Sequence, residues 1–495
     1  MIRTMSRGLS KSRILNFLQC PRRLFLQTIR PELAEDSEEA RMAFQSGNEV
    51  GEVARSLFPE GMLIGHDTEL VEALRATRVA LAEHPDRPLF EATFEHDGVL
   101  VRADLLVPDS SGLRLIEVKS STEVKSHHLA DCAVQAWVVR KAGVPLARIE
   151  LAHVDNTFVY LGNRRYDGLL KFVDLTGIVE SRLDDVPRWI DACRTTLSGS
   201  EPDIMPGTQC DDPYPCPFIT HCQPPQPDEG FPVTTLYRKG RIVTELLDEG
   251  IEDLRDIPPG RLGNRTHERQ RRVAVAGKAE LDSEAGELLR SFGYPRYYLD
   301  YETIAFAVPI WPNTRPYQKL PYQWSCHIES ADGSLGHQEF LGIGPDAPMR
   351  AFAESLVQKL SSADGGPAFV FRQSFEEGRT RELAQMFPDL ADRLLAICER
   401  MVDLLPIAQK HYYHPEMHGS WSIKAILPTI APELSYSGLG EVQDGGGASV
   451  AYLELLDPAT DSARRAALIH DLREYCKLDT LAMVKLARYF LKGSA

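Results

Sequence analysis

The sequence lacks the features that mark membrane, secreted or repetitive proteins. No run of about 18 apolar residues occurs, so we expect no transmembrane helix. The first residues are basic and contain no uninterrupted apolar segment, so we expect no secretory signal. We find neither an internal repeat nor a long low-complexity tract. These absences favour a cytoplasmic protein with no membrane partner.

Basic residues are also fewer than acidic residues. The chain has 55 Lys and Arg against 71 Asp and Glu, which gives a formal net charge of −16. Such a balance disfavours a protein that coats nucleic acid non-specifically. It does not exclude a nuclease, because a metal-dependent site needs clustered carboxylates. The length of 495 residues and the hydrophobic share of 43% suit two or more ordinary domains with ample cores.

The cysteines do not suggest a disulfide framework. There are nine, and this odd number without a secretory signal favours reduced thiols. Cys210, Cys216 and Cys222 follow one another at a regular spacing, one ligand short of the usual four-ligand metal site. Most of the other cysteines are simply explained as buried small hydrophobic residues.

Hydrophobic periodicity predicts an α/β fold. Residues 10–60 have helical spacing, and residues 88–120 alternate like three strands joined by turns. A second mixed sheet is expected to open near residue 297, followed by a largely helical region. We therefore predict a first domain over residues 1–225, a helical connector over 226–290 and a second domain over 291–495. A Pro-rich boundary is expected at residues 223–232, and the segment ELLDEGIEDLRDIPPGRL predicts a helix, Gly250 and then a second helix.

A first group of chemically active residues lies in the predicted strands. Asp104 ends one strand, and Glu117 and Lys119 lie two apart on the next, so the last two share a face. A hairpin would bring Asp104 beside them. Two carboxylates hold a hard cation such as Mg2+ or Mn2+, and a lysine orients the attacking water or neutralises developing charge. An exposed strand with alternating charges is the plainer explanation of the same pattern.

These residues resemble the PD-(D/E)XK nucleases of the RecB type, including the iron–sulfur nucleases associated with CRISPR adaptation. The segment LSKSRILNFLQCPRR is similar to the family's opening, and ADLL with LIEVKSS is similar to its metal motif. Gln135 matches the glutamine of the family's Q-x-x-x-Y motif, which contacts the site. Val139 replaces the tyrosine of that motif, and Gly51 replaces a histidine ligand, for which Glu49 or Glu52 is the alternative. The resemblance implies a restriction-endonuclease-like fold.

The same resemblance supplies a fourth thiol. These nucleases hold a [4Fe-4S] cluster with one cysteine near the N-terminus and three after the catalytic core. Cys20 matches the first position, and Cys210, Cys216 and Cys222 match the other three. Four thiolates also suit zinc, although the C-x2-C spacing of zinc ribbons is missing. We expect an iron–sulfur cluster with a structural role, and zinc is the alternative.

A second group of acidic residues lies in the C-terminal half. Asp300 and Glu302 are two apart on a predicted strand, so they share a face. Tyr475 and Asp479 are four apart on a predicted helix, again on one face. Glu376 lies between the two pairs in the sequence. Such carboxylates and a tyrosine are the components of a two-metal phosphodiester site, in which the tyrosine positions the attacking water.

This group resembles the DnaQ-like 3′–5′ exonucleases of the DEDDy subclass, which have an RNase H fold. The D-x-E and Y-x3-D motifs match. The middle motif departs from the family, because Arg372 stands for an asparagine and Glu376 for an aspartate. Asp403 is an alternative carboxylate, or else a capping residue. The segment MHGSWSIKAILP offers candidate phosphate contacts in His418, Ser420, Ser422 and Lys424, although a capped helix start explains Ser420 and Ser422 equally well.

The whole architecture resembles a bacterial family described mainly as a domain of unknown function. We expect two metal-dependent nuclease sites that act on DNA, in repair or in defence against foreign DNA. Two alternatives remain open. One is an RNA exonuclease, and the other is a nucleic-acid-binding scaffold in which one or both sites are inactive. Protein partners are not predicted.

Overall fold

The computed structural model describes residues 8–35, 38–65, 69–223, 230–238, 240–360 and 365–493. These residues form a mixed α/β protein with several sheets and many helices, as the hydrophobic periodicity predicts. The chain divides into two units. The first comprises residues 1–225 and 306–318, and the second comprises residues 226–305 and 319–495.

The first unit is built on a seven-stranded sheet. Its strands are, in chain order, β1 (Leu9–Ser10), β2 (Met62–Leu63), β3 (Leu89–His96), β4 (Val99–Asp109), β5 (Gly112–Lys119), β6 (Leu146–Val154) and β7 (Leu170–Asp174). They pair in the order β2-β3-β4-β5-β6-β7, and β1 pairs in parallel with β4. The predicted three-stranded meander is therefore confirmed as β3, β4 and β5.

Helices accompany this sheet. They are α1 (Lys11–Gln19), α2 (Pro21–Ile29), α3 (Glu38–Ser56), α4 (Leu70–Glu83), α5 (Ser126–Lys141), α6 (Thr176–Glu180), α7 (Val186–Ser198) and α8 (Ile219–Cys222). Cys20 separates α1 from α2, because Pro21 cannot continue a helix but suits the first helical position. Alanine and valine side chains of α5 pack into the main core beneath the sheet.

Residues 306–318 belong to the first unit although they follow a strand of the second. Ala307 and Val308 are buried in a core cluster with Phe90 and Ile116. The Tyr160 N–H donates to the Thr314 carbonyl at 3.0 Å. The segment therefore contributes core side chains as well as backbone hydrogen bonds to this unit.

The second unit contains a five-stranded sheet and a separate strand pair. Its strands are β8 (Glu280–Leu281), β9 (Arg296–Ile304), β10 (Leu320–Glu329), β11 (Leu335–Leu341), β12 (Ala368–Val370), β13 (Met401–Asp403) and β14 (Tyr412–Tyr413). The sheet order is β11-β10-β9-β12-β13, with β10 antiparallel to both neighbours and β12 parallel to both of its own. β8 pairs with β14.

Helices make up most of the rest of this unit. They are α9 (Arg241–Asp248), α10 (Arg265–Ala276), α11 (Glu284–Arg290), α12 (Met349–Leu360), α13 (Gln373–Met386), α14 (Ala391–Cys398), α15 (Leu404–His411), α16 (Ile423–Ile430), α17 (Gly445–Leu456) and α18 (Ser462–Gly493). In neither unit does a described helix combine the length and hydropathy needed to cross a bilayer.

The region predicted as a helical connector differs in two respects. Residues 226–290 group with the second unit, and the Pro-rich boundary that we predicted falls largely on residues 224–229, outside the described residues. The expected second helix after Gly250 is wrong. A single 3-10 turn, Leu254–Asp256, stands there, because the flanking prolines and glycine stop a longer helix.

Gly419 provides a test of this fold. Its φ of +83° lies in the left-handed region, and a Cβ atom would lie 1.7 Å from the Thr235 carbonyl oxygen. We expect Gly419→Ala to lower the free energy of unfolding by about 2–4 kcal/mol. Gly378, inside α13, has open space around it, so Gly378→Ala is expected to raise stability by about 0.5–1 kcal/mol. Urea denaturation of both variants measures the difference, and equal effects would contradict the fold around Gly419.

Candidate functional site

The first candidate site forms where two adjacent strands bring carboxylates together. Leu105 of β4 lies opposite Ile116 of the antiparallel strand β5, so the next pair in this register is Asp104 and Glu117. The Val118 N–H donates to Asp104 Oδ2 at 2.7 Å. The hairpin therefore brings together the two carboxylates that the sequence predicts as metal ligands.

Two lysines and a third carboxylate complete this site. Lys119 Nζ lies 2.6 Å from Asp131 Oδ2 and also contacts Glu117 Oε1. Lys11 Nζ lies 3.0 Å from Glu117 Oε1 and 3.1 Å from Asp131 Oδ1. Because each lysine contacts both carboxylates, the four side chains form one ion-pair network.

Gln135 joins the network from α5. It lies one helical turn after Asp131, so the two side chains share a helix face. Its Nε2 donates to Glu117 Oε2 and, at 3.1 Å, to Asp131 Oδ1. Its buried Oε1 has no hydrogen-bond partner among the described residues. Gln135 thus contacts the carboxylates, as expected from its motif, whereas Val139 is buried in the core.

Burial sets the electrostatics of the network. Burial and the nearby Glu117 raise the pKa of Asp104 to about 8. Burial opposes the charge of Lys119, but Asp131 and Glu117 outweigh it and raise the lysine pKa. At Asp131, Lys11 and Lys119 outweigh burial and lower the pKa. A divalent cation would stabilise the Asp104 carboxylate, so this oxygen donor set fits Mg2+ or Mn2+.

Lys11 and Asp131 are the site residues that sequence reasoning missed. Lys11 is 106 residues from Glu117 in the chain, so no local spacing links them. The sequence does contain a signal for Asp131, because this residue lies one helical turn before Gln135, the glutamine of the motif. Glu49, an alternative ligand from the sequence, instead accepts a hydrogen bond from Gln45 on its own helix at 3.1 Å.

The four cysteines that the sequence groups together line one pocket of the first unit. Cys20 stands between α1 and α2, and the Cys216 N–H donates to the Cys210 carbonyl at 2.8 Å. Sulfurs around a tetrahedral zinc ion lie about 3.8 Å apart. In the described structure, no three of the four sulfurs of Cys20, Cys210, Cys216 and Cys222 lie within 4.8 Å of one another. The four thiols are donors that either a zinc ion or an iron–sulfur cluster binds.

Two arginines also line this pocket. Burial raises the pKa of Cys216, and Arg23 acts against that rise. Burial likewise raises the pKa of Cys222, where Arg22 opposes it. Positive charge beside thiols stabilises the thiolate form, which is the form that binds metal. The two arginines therefore offset part of the cost of forming thiolates in this pocket.

The second candidate site begins on β9. Asp300 and Glu302 share one face of this strand, as predicted. Their ligand atoms and that of Cys476 all lie within 4.8 Å of one another. Cys476 Sγ lies 3.7 Å from Asp300 Oδ2. Cys476 is buried, as the sequence suggests, but it borders the carboxylates rather than lying in an apolar core.

The neighbouring strand anchors α18 beside these carboxylates. Ser325 of β10 lies opposite Asp300, and its hydroxyl hydrogen-bonds to the Thr480 hydroxyl at 2.9 Å. Tyr475 and Asp479 precede Thr480 on α18, and both interact electrostatically with the β9 carboxylates. The structure therefore brings the D-x-E and Y-x3-D motifs into one site.

Tyr436 and Lys424 extend the site. Tyr436 Oη donates to Asp479 Oδ1 at 2.6 Å, a contact that sequence reasoning missed. Lys424 Nζ lies 4.8 Å from the ring centre of Tyr475 and 5.2 Å from that of Tyr436. Ser422 caps α16, so the capping explanation holds for that serine. Lys424 nevertheless supplies a positive charge beside the carboxylates.

Glu376 reaches the site from the first turn of α13. It is buried, and its Oε2 has no hydrogen-bond partner in the described chain. Asp403 accepts from the N–H groups of Arg372 and Gln373, at 3.0 Å each, and from that of Leu405 at 2.9 Å. Asp403 therefore acts as a cap, and Glu376 is the carboxylate available to the site. Arg372 has a φ of +92°, in the left-handed region.

All four carboxylates lie where charge is costly. Burial raises the pKa of Asp300, and Asp479 raises it further. Burial and the nearby Asp300 also raise the pKa values of Glu302 and Glu376. Burial raises the pKa of Asp479 to about 6. Divalent cations would stabilise the ionised forms, and the unpartnered Glu376 oxygen is a free ligand atom, so the residues fit Mg2+ or Mn2+.

Comparison with known proteins gives little functional information. A family model described as "Domain of unknown function (DUF2779)" matches residues 297–422, which include Asp300, Glu302 and Glu376. An uncharacterized protein of Ureaplasma parvum serovar 3 is 24% identical over 229 residues, which cover 42% of this chain and 33% of the relative. The chain thus matches about a third of that relative's length. No solved structure matches the chain significantly.

The raised pKa of Asp104 predicts a pH-dependent stability. The folded protein holds this proton more tightly than the unfolded chain, so metal-free protein loses stability as pH rises from about 4 to about 8. In EDTA, wild type is expected to lose stability relative to Asp104→Asn over this range. Mn2+ is expected to restore the stability of wild type and not that of Asp104→Asn. Denaturant midpoints between pH 5 and pH 9 test this, and a constant difference would contradict it.

Proposed function

We propose that this protein is a metal-dependent nuclease that hydrolyses DNA phosphodiester bonds at two sites, one in each unit. The observation that carries the proposal is the convergence of Asp300, Glu302, Glu376 and Asp479 beside Tyr475. These residues come from a strand and two helices that are far apart in the sequence. A buried group of like charges is costly to fold unless it binds cations, so its assembly favours a catalytic role.

The strand order of the second unit supports an RNase H-like fold for this domain. Its five strands stand in the order third, second, first, fourth and fifth, and the second is antiparallel to the first. The resemblance to DnaQ-like exonucleases implies this arrangement, with the acidic residues on the first strand. We therefore infer a 3′–5′ exonuclease site of the DEDDy type.

Each residue of this site has a chemical role in the proposal. Bound divalent cations supply a water of lowered pKa and neutralise charge on the phosphate. Asp300, Glu302, Glu376 and Asp479 would hold them. Tyr475 orients the attacking water, because it lies beside the carboxylates. Lys424 adds positive charge near the phosphate, and Tyr436 fixes the Asp479 carboxylate by its hydrogen bond.

For the first unit we infer a PD-(D/E)XK-type site in a restriction-endonuclease-like fold. Asp104 and Glu117 would hold the cation. Lys119 orients the attacking water or neutralises the developing charge. Gln135 fixes the orientation of Glu117 through its hydrogen bond. The hairpin that places Asp104 opposite Glu117 supports this assignment.

Cleavage assays with two variants test the proposal. We expect wild type with Mg2+ or Mn2+ to shorten end-labelled DNA, and chelation to stop it. Lys119→Ala and Asp300→Ala are each expected to lower the rate at their own site by at least about a hundredfold. Lys141→Ala and Asp346→Ala, both at exposed positions, are the matched controls.

The outcomes separate the alternatives. Cleavage of RNA but not of DNA would replace the proposal with an RNA exonuclease. No cleavage of either nucleic acid would overturn the nuclease assignment and favour a binding scaffold. Loss of all activity in only one of the two variants would show that the other site is inactive.

We further infer that Cys20, Cys210, Cys216 and Cys222 hold a [4Fe-4S] cluster with a structural role. Anaerobically purified wild type is expected to contain iron and sulfide, and Cys20→Ala to lose both and to melt at a lower temperature. Cys193→Ala, in the core of the same unit, is the control that keeps the iron. Stoichiometric zinc without iron in wild type would contradict the cluster.

A further inference from the structure

Lys11 reaches the first site from a different part of the chain than Lys119. It is the first residue of α1, and Ser10 caps this helix by accepting from the Arg13 N–H at 3.3 Å. Leu9 and Ser10 form β1, which pairs with β4, the strand that carries Asp104. The strand pairing and the cap together fix the helix start beside the carboxylates.

The two lysines are more exposed than the two carboxylates that they contact. The side chains of Glu117 and Asp131 are 2% and 4% exposed. Those of Lys11 and Lys119 are 18% and 22% exposed. Lys11 and Lys119 are therefore more exposed than the two carboxylates that they contact, and Asp104 is also partly exposed.

The site becomes positively charged when a cation binds to the ionised carboxylates. Asp104, Glu117 and Asp131 carry three negative charges in their ionised forms, and Lys11 and Lys119 carry two positive charges. The sum is one negative charge, and one divalent cation makes it one positive charge. Without Lys11 the cation-loaded site would be neutral. Lys11 thus supplies the positive charge that favours a phosphodiester over water.

We propose that Lys11 is a substrate-binding residue of the first site that contacts the phosphate backbone of the nucleic acid. This inference rests on the proposed nuclease function of that site. Lys119 can then orient the attacking water, because Lys11 binds the phosphate. A single lysine would have to do both. A purely structural lysine, in contrast, would only hold Glu117 and Asp131 in place.

The two roles differ in a measurable way. A phosphate contact that is lost weakens substrate binding, and the removal of a cation next to Glu117 leaves Mn2+ affinity equal or higher. A lost structural support displaces Glu117 and lowers Mn2+ affinity. Mn2+ affinity therefore separates the two roles, because it stays equal or rises if Lys11 contacts phosphate and falls if Lys11 only supports Glu117.

Lys11→Met and Lys11→Arg test the inference in an Asp300→Asn background, where only the first site can cut. With saturating Mn2+ and labelled DNA, we expect Lys11→Met to raise KM at least about tenfold, with a smaller change in kcat. The KM of Lys11→Arg is expected to stay near that of the parent, because arginine keeps the positive charge. Lys141→Met, on the exposed end of α5, is the control for loss of a lysine. Mn2+ titration followed by electron paramagnetic resonance gives the metal affinity.

Two results would overturn the inference. One is an unchanged KM for Lys11→Met, and the other is a raised KM accompanied by weaker Mn2+ binding. A parent protein that cleaves nothing contradicts the proposed function of this site instead. In that case the anisotropy of labelled DNA with Mn2+ still tests Lys11, and equal affinities of parent and Lys11→Met would reject the phosphate contact.

Discussion

Carboxylates that are buried together repel one another and lose their hydration, and both candidate sites are organised around this cost. The first site offsets it with two ammonium groups in direct contact with Glu117 and Asp131. In the described part of the chain, Lys424 is the ammonium group near the second site, and it lies over the rings of Tyr475 and Tyr436. The acidic residues of this site are bordered mainly by neutral hydroxyl and thiol groups. The second site should therefore depend more strongly on bound cations for its charge balance.

The short helix α1 connects two chemically different parts of the first unit. It begins with Lys11 at the carboxylates and ends at Cys20 among the thiols. Gln19, at its last turn, donates to the carbonyl oxygens of Gln209 at 2.8 Å and Tyr214 at 2.6 Å, next to the other cysteines. A change in the cysteine pocket that moves this end of the helix also moves the lysine at the other end. The helix therefore has the cysteine pocket at one end and the carboxylates at the other.

The sequence could predict those parts of the fold and sites that depend on local periodicity. Asp300 and Glu302 share a strand face, and Tyr475 and Asp479 share a helix face, because side-chain direction repeats at fixed intervals. The strands β3 to β5 follow from alternation and turn residues. Lys11 and Tyr436 could not be found in this way, since their partners are set by tertiary packing. The expected helix after Gly250 does not form because Pro258 and Pro259 stop it, although the apolar spacing alone is helical.

The segment 306–318 means that the two units are not successive pieces of the chain. The polypeptide passes from one unit to the other near residue 225, again after residue 305 and again after residue 318. A fragment that stops at residue 225 would lack Ala307 and Val308 and would expose the apolar cluster that they cover. The complementary fragment would carry those apolar residues without their partners. Dissection of this protein into independent domains therefore requires the segment to be grafted onto the first fragment and replaced by a short linker between β9 and β10.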